Sequence, residues 1–584
     1  MYLTSNSENR FEGNLELKRS GNAIVLSNIN NIPQTIIIRK NDLQFFRDHD
    51  HVSGIIYESN VNTDGKIIYY GHITSEPTYL NETMQGVVTG FYQRHTMVYS
   101  PLLGRRMQIW LKTDTKLNIY DRVSVIVKEF NKDINRIIAE LDNFTPIYSI
   151  SNKTADAQLV SDLIDINRIP YDHSHINYNM SSSSSSKIIS NPLKVNRVDL
   201  TSLETFSIDK SSTIDIDDAL SFKFDDKGIM HFYIHIADVS EYVFPDSPYW
   251  DETVINASSI YVNDNTFFPM LPQEIQDMCS LFPRQRRNAL TSEFILQTDG
   301  TTRFVGYYFS VIKSTRAFSY TEADRILQSR QPSFDYKLLA QMEYICKCFS
   351  KQSITFINNT HDMIEKYMIL FNMSMTKYLK PNTAIFREQA TPTDIQTKPI
   401  LNYLKYIFNK NDNNNNINTK LTDTQKDILQ HLLSKSKPKA KYNIEANPHY
   451  SMGEKPYAQV SSPIRRLADL VNICNIRGHT FDKIELESYI KRNIAADYTQ
   501  SEVDKQLAFY QNIRTNNQTN KMYDAIVIDI TNVGLYAFIP SLNLVCFLHQ
   551  SKFNDSLIQK YDEITVNMNK FHVETHNIDW ILKL

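Results

Sequence analysis

The chain has 584 residues, 41% hydrophobic and 11% aromatic, which excludes a mainly disordered protein. Its length sets a prior of roughly three to five domains. A formal net charge of −3 supplies no bulk attraction to a polyanion, so a nucleic-acid binder needs locally clustered Lys and Arg.

In chain order, the N-terminal "MYLTSNSENRFEG" has no apolar signal core. Nor does any run of about 20 apolar residues suggest a membrane span. Residues 1–147 read as β: "AIVL", "TIIIRK", "SGIIYES" and "GKIIYYGHI", then "GVVTGFY", "RMQIWLK" and "RVSVIVKEF", separated by polar turns. Two small barrels or sandwiches are expected, 1–80 and 81–147. Residues 148–196, with the run Ser181–Ser186, read as a flexible connector. From 197 strands and helices mix. "MHFYIHIADV" suits a buried strand, and "MIEKYMILFNMSMTKYL" places Ile364, Tyr367, Met368, Phe371, Met375 and Tyr378 on one helical face as core. "NKNDNNNNINTK", 409–420, reads as a surface loop. The segment 519–584 returns to β. Cys279, Cys346, Cys348, Cys474 and Cys546 are too scattered for a disulfide framework or a zinc site, and fit a reducing compartment.

Two stretches carry chemistry. Asp209, Asp215, Asp217 and Asp218 crowd one short segment, "SIDKSSTIDIDDAL". Two carboxylates about 4 Å apart repel by roughly 4 kcal/mol at an effective dielectric near 20, so a packed cluster needs a cation. An EF-hand is excluded, because counting from Asp215 puts Leu220 where that loop needs Gly and Asp226 where it needs Glu. A hard divalent cation on oxygen ligands and a merely solvated acidic turn both remain open. In "SSPIRRLADLVNICNIRG", Ser462 reads as a helix cap, Pro463 as its first residue and Gly478 as its end. Arg465 and Arg466 then fall in the first turn, at the positive end of the dipole. That placement suits a bound phosphate or a salt bridge to a nearby acid. An acidic metal cluster beside a phosphate grip suggests metal-assisted phosphodiester hydrolysis.

These motifs resemble the ribonuclease II / ribonuclease R / Dis3-like exoribonuclease family. "RVDLTSLETFSIDKSSTIDIDDAL", "YIHIADVSEYV", "SSIYVNDNTFFPMLPQEIQDMCSLFPRQRRNAL", "SVIKSTRAFSYTEADRIL", "AIFREQATP", "HYSMG" and "YAQVSSPIRRLADL" follow in family order. The resemblance implies a multidomain α+β protein: an RNB-type catalytic domain, 197–518, flanked by β-barrel OB-fold RNA-binding domains at 1–80, 81–147 and 519–584. It implies a processive, magnesium-dependent 3′-to-5′ exoribonuclease releasing nucleoside 5′-monophosphates, with Mn²⁺ as a substitute ion. Asp209, Asp215, Asp217 and Asp218 match the metal and catalytic aspartates, Asp217 the indispensable one. Arg465 and Arg466 match the arginines on the scissile phosphate. Tyr261 and Phe356 match an aromatic clamp on the 3′-terminal bases, and Glu365 and Asn372 match polar positions lining an RNA channel. The implied partner is single-stranded RNA with a free 3′ end, bound by an intracellular, cytoplasmic monomer. The alternative is an inactive homologue that binds RNA or a protein. Three departures stand out: a short Phe356–Glu365 spacing where the family has a longer β-hairpin, Gln389 for a usual His, and Arg286 for a usual Asp.

Overall fold

The computed structural model describes residues 10–17, 22–29, 32–39, 42–43, 45–47, 50–61, 67–100, 103, 108–132, 136–145, 191–263, 266–350, 359–412, 421–519, 521–552, 558–572 and 577–583. Ser181–Ser186 and Phe356 lie outside these residues, as do positions 413–420 of the Asn-rich stretch. The chain forms two compact units, Met1–Tyr171 with Ser501–Leu584, and Asp172–Gln500. Among the described residues no helix is long and apolar enough to cross a membrane.

In the first unit, strands β1 (Arg10–Leu17), β2 (Ala23–Ile29), β3 (Ile32–Ile38), β4 (His51–Val61) and β5 (Ile67–Ile73) close a barrel in the order 1-2-3-5-4. Alternation drives it: Ala23, Val25, Ile36 and Ile38 point inward around Phe11, while Leu26 faces water. Gly54 and Gly71 are required, because a Cβ at either would run into the Phe11 ring. Strands β6 (Thr83–Tyr92), β7 (His95–Tyr99), β8 (Ile109–Lys112), β9 (Arg122–Asn131) and β10 (Arg136–Thr145) repeat the same order. In each barrel the third and fifth strands pair in parallel and the remaining pairs are antiparallel, the OB-fold arrangement. Strands β24 (Met522–Thr531), β25 (Gly534–Ile539), β26 (Leu544–His549), β27 (Glu563–His572) and β28 (Asn577–Lys583) form a further five-stranded antiparallel sheet in this unit.

The second unit is built on a seven-stranded sheet. Its strands are β11 (Val198–Asp199), β12 (Thr205–Asp209), β13 (Asp218–Phe224), β14 (Met230–Ala237), β17 (Arg286–Leu296), β18 (Thr302–Lys313) and β19 (Arg316–Ser319), in the order 11-18-17-14-13-12-19. The hairpin β15 (Ile260–Asn263) and β16 (Thr266–Phe268) stands apart from it. On β14, Phe232, Ile234 and Ile236 alternate toward the helices Phe334–Phe349 and Thr360–Thr376, meeting Leu339, Met342, Tyr367, Phe371 and Met375. Ser319, Ser333 and Asn359 cap the N-termini of the helices on this side. The opposite register of β14 carries fully buried His235, whose ring bridges Ser221 Oγ (2.8 Å) and Thr291 Oγ1 (2.9 Å). Short pairs β20 (Phe386–Glu388) with β21 (Lys441–Asn443), and β22 (Pro448–His449) with β23 (Lys455–Pro456), complete the unit. All five cysteines are buried and unbridged.

Three sequence expectations need correction. The helix Thr360–Thr376 buries Ile364, Tyr367, Phe371 and Met375, but Tyr378 lies beyond its end and is 45% exposed. The helix Asp394–Asp412 runs into the stretch expected to be loop from 409. The third correction concerns the arginines. The helix after "SSPIRR" is Leu467–Arg477, so Arg465 and Arg466 precede it and Asp469 takes the first turn, where a carboxylate is favoured. Helix is blocked upstream because the backbone pairs elsewhere: Ser259 N–H donates to Arg465 O (3.0 Å) and Leu467 N–H to Ala257 O (2.8 Å). Gly478 ends the helix as expected, at φ 118°.

Candidate active site

Asp209 is the last residue of β12 and Asp218 the first of β13, two antiparallel neighbours. The connection between them carries Asp215 and Asp217, so the hairpin gathers all four carboxylates. The "CSL" block staples this connection. Ser280 Oγ accepts from Ile216 N–H (3.2 Å) and donates to Ile214 O (3.2 Å), and Leu281 N–H donates to Ile216 O (3.0 Å). Ala237 N–H, at the end of β14, donates to Asp217 O (2.8 Å).

A second wall comes from the "SSPIRRLADL" segment. Asp217 Oδ1 accepts from Ile464 N–H (3.0 Å), and Asp217 Oδ2 pairs with Arg465 Nε (3.1 Å). Arg465 Nη2 also donates to Ser462 Oγ (3.0 Å), and its side chain stays 45% exposed. Arg466 Nη2 pairs with buried Asp469 (2.9 Å), which also accepts from Ser462 N–H (2.8 Å). Both arginines therefore make the salt bridge to a nearby acid that the sequence allowed. They still have donors to spare: Arg466 Nε is buried with no partner.

Tyr261 joins the cluster. Its hydroxyl donates to Asp215 Oδ2 (2.6 Å), and Gln500 fixes its backbone through Tyr261 N–H to Oε1 (2.8 Å) and Nε2–H to Tyr261 O (2.9 Å). It sits on a short strand rather than in a loop.

Burial is the first cause that shifts these groups. It raises the Asp217 carboxyl to about 7 against the opposing pull of Arg465, and raises Asp215 as well. Asp218 and Asp209 are raised by burial and by carboxylate neighbours: Asp209 and Asp217 act on Asp218, and Asp215 acts on Asp209. Tyr320, raised by burial, lies in the field of Asp218 and Asp209. Asp209 Oδ2 is buried with no hydrogen-bond partner. An all-carboxylate donor set with an orphaned oxygen fits a hard divalent cation. Among the described residues, though, no three acidic, His or Cys side chains already form a ligand group. Both Asp217 oxygens are occupied, by Ile464 N–H and Arg465.

Other expected positions fall elsewhere. Asn372 is 3% exposed and wholly committed inside the fold: Nδ2 donates to Tyr457 Oη (3.0 Å) and Ser461 Oγ (3.1 Å), and Oδ1 accepts from Val460 N–H (2.8 Å). Glu365 is exposed on the same helix. Gln389 acts as a clip, donating to Pro438 O (2.8 Å) and accepting from Ser451 N–H (2.9 Å). Arg286 pairs with Asp199 at the surface (3.0 Å), which absorbs the reversed charge locally. Sequence reasoning missed Ser280, Asp469 and Gln500 as site supports. The first two sat inside quoted motifs. Gln500 had no signal beyond lying on a helix.

Comparison with known proteins now identifies the class. The RNB domain model matches residues 197–355 and 351–480. Ribonuclease R of Chlamydia muridarum is 25% identical over 418 residues, 62% of this chain and 59% of that protein. Exoribonuclease 2 of Buchnera aphidicola is 24% identical over 448 residues, 65% of this chain and 67% of the relative. The chain spans 57% to 59% of the length of three Chlamydia ribonucleases R that it matches. The structure of Mycoplasma genitalium RNase R in complex with ribose methylated single-stranded RNA aligns with a TM-score of 0.64 at 16% identity, covering 98% of this chain and 100% of that one. Yeast Ssd1, a pseudonuclease, aligns at 0.59 and 14% identity, covering 96% and 82%. The fold is thus that of RNase R, and over residues 197–480 the chain carries the RNB domain of the ribonuclease II / ribonuclease R family.

Proposed function

We propose that this protein is a processive, magnesium-dependent exoribonuclease that shortens single-stranded RNA from its 3′ end. The observation that carries the reading is the meeting of Asp217 with Arg465: a buried carboxylate cluster stands against a guanidinium with exposed donors. In this reading Asp209, Asp215, Asp217 and Asp218 hold Mg²⁺, with Mn²⁺ as a substitute. The ion supplies Lewis acidity at the phosphate and lowers the pKa of the attacking water. Arg465 and Arg466 bind the scissile phosphate through planar donors that suit its oxygens. Asp469 and Ser462 hold those arginines in place. Tyr261 stacks on the 3′-terminal base while its hydroxyl steadies Asp215. The water oxygen bonds to phosphorus and the bond from phosphorus to the preceding 3′ oxygen breaks. That oxygen gains a proton, and a nucleoside 5′-monophosphate leaves. The domain division 1–80, 81–147, 197–518 and 519–584 belongs to the same proposal, with the β domains as the RNA grip.

An inactive RNB homologue is the second reading, favoured by the likeness of fold to a pseudonuclease. Retention of four aspartates and two arginines argues against it. A time course on 5′-labelled single-stranded RNA, with free or blocked 3′ end and with or without Mg²⁺, separates the two. Stepwise shortening of the free-ended RNA alone, only with metal, is expected. Asp217→Asn should abolish it while RNA binding in chelator survives. RNA binding without any metal-dependent shortening overturns the catalytic reading.

A further inference from the structure

The segment "SKSKPKAKYN", 434–443, leaves the helix Asp423–Ser436 and runs into β21. Lys435 lies in the last helical turn, and Lys437 has extended backbone, φ −80° and ψ 126°. Exposure then alternates: Lys437, Lys439 and Lys441 face water, while Pro438, Ala440 and Tyr442 are half-buried. Alternate residues of an extended run share one side, roughly 6.6 Å apart. Lys437, Lys439 and Lys441 thus form a row, with Lys435 continuing it on the helix.

A charged run is ordinarily a solvated face, and three observations speak against that here. None of the four lysines makes an ion pair within the described residues. Two nearby acids already have closer partners: Glu388, opposite Lys441 across the β20–β21 pair and in its field, holds Asn443 and Asn447, and Asp497, in the field of Lys439, faces Arg387 at 3.8 Å. The backbone of the run is also pinned, by Gln389 on Pro438 O and by β20 on β21, so the side chains leave from fixed points. Its far end reaches the neighbourhood of Arg466. Tyr442 lies under the Arg387 guanidinium at 4.0 Å, in the field of Arg466. Arg466 and Arg387 carry their own acids, Asp469 (2.9 Å) and Asp497 (3.8 Å), so the lysines are the unpaired positive charge of this stretch, in a chain whose net charge is −3.

We propose that this lysine row is a ridge that binds the phosphodiester backbone of substrate RNA outside the active site. It rests on the RNA-degrading function proposed above, and it adds a surface set by charge rather than by base identity. Neutralising phosphates releases counterions, so each lysine contributes about 0.7 to the slope of log affinity against log salt on single strands.

The test is a salt titration of single-stranded RNA binding in chelator, with wild type and a K437Q/K439Q/K441Q variant. A control variant, K337Q/K380Q/K483Q, removes the same charge from exposed sites elsewhere on this unit. The ridge variant should lose about 2 from the slope, and the control about none. Equal slopes in wild type and ridge variant, with wild type binding RNA, overturn the ridge alone. A wild type with no RNA affinity overturns the parent function as well. Equal losses in both variants overturn the ridge too, by tracing the effect to bulk charge. Thermal unfolding of each variant checks that the exposed substitutions leave the fold intact.

Discussion

Asn372 offers a clean contrast between lining a channel and holding the site. Its side chain makes three buried hydrogen bonds, all to the strip 457–461 that leads into Ser462–Asp469. Asn372→Ala leaves Val460 N–H unpaired in the interior, which costs about 1–3 kcal/mol. Tyr457 and Ser461 each lose a donor, at about 0.5–1.5 kcal/mol apiece because a hydroxyl can reorient. The expected destabilisation is about 3 kcal/mol, read as a lower denaturation midpoint with unchanged slope in urea. Slack in 457–461 should pass to Arg465 and Asp217, so turnover should fall several-fold while RNA affinity in chelator changes little. Tyr457→Phe in the same background should add less than its own single cost, because the two share a bond. An Asn372→Ala protein with wild-type stability and weakened RNA binding would refute this account and return the side chain to the channel wall.

Arg465→Lys keeps the charge but loses the fork that spans Asp217 and Ser462. Turnover should fall by about 1.5–3 kcal/mol, ten- to hundredfold, with a smaller loss of affinity; wild-type turnover would make this arginine structural or redundant with Arg466. Tyr261→Ala removes a stacked base worth about 1–3 kcal/mol, so the limit product on a sequencing gel should lengthen, while Tyr261→Phe should leave its length unchanged. An unchanged limit product in folded Tyr261→Ala protein removes the residue from the clamp. Burial lowers the His235 pKa to about 3, from 6.5. The stability this contributes is fully present above 6.5 and is lost as pH falls toward 3, at about 1.4 kcal/mol per unit. His235→Gln should flatten that part of the stability profile; parallel acid slopes in the two proteins would contradict it.

Much of this was legible because the relevant physics is local. The alternation in "MHFYIHIADV" announces β14, and the helical period from Ile364 to Met375 announces a core helix. The crowding of four aspartates is plain in the sequence, and it leaves a bound cation and a solvated acidic turn both open. What was not legible depends on long-range pairing. "SSPIRRLADL" has every local mark of a helix beginning at Ser462. It does not begin there, because Ala257 and Ser259 claim the backbone around Arg465 and Arg466. Asn372 matches a channel position through the resemblance alone, and nothing local reveals its partners 85 to 89 positions away. The two barrels share one strand order without a readable sequence repeat, since an OB core asks only for inward apolar residues and tolerates many sequences.

The site is assembled from pieces far apart in the chain: the Asp209–Asp218 hairpin, Ser280, the segment Ser462–Asp469, and Gln500. The two closed barrels, by contrast, need nothing beyond Thr145. A chain made from its N-terminus at roughly 5–20 residues per second completes those barrels about 20 to 70 seconds before Gln500 is synthesised. For about 12 to 49 seconds of that interval, between the synthesis of Asp218 and that of Arg465, the aspartates exist without the arginines that face them. If the chain cuts RNA as proposed, a growing chain leaves the RNA that encodes it intact until Ser462–Asp469 and Gln500 have been made.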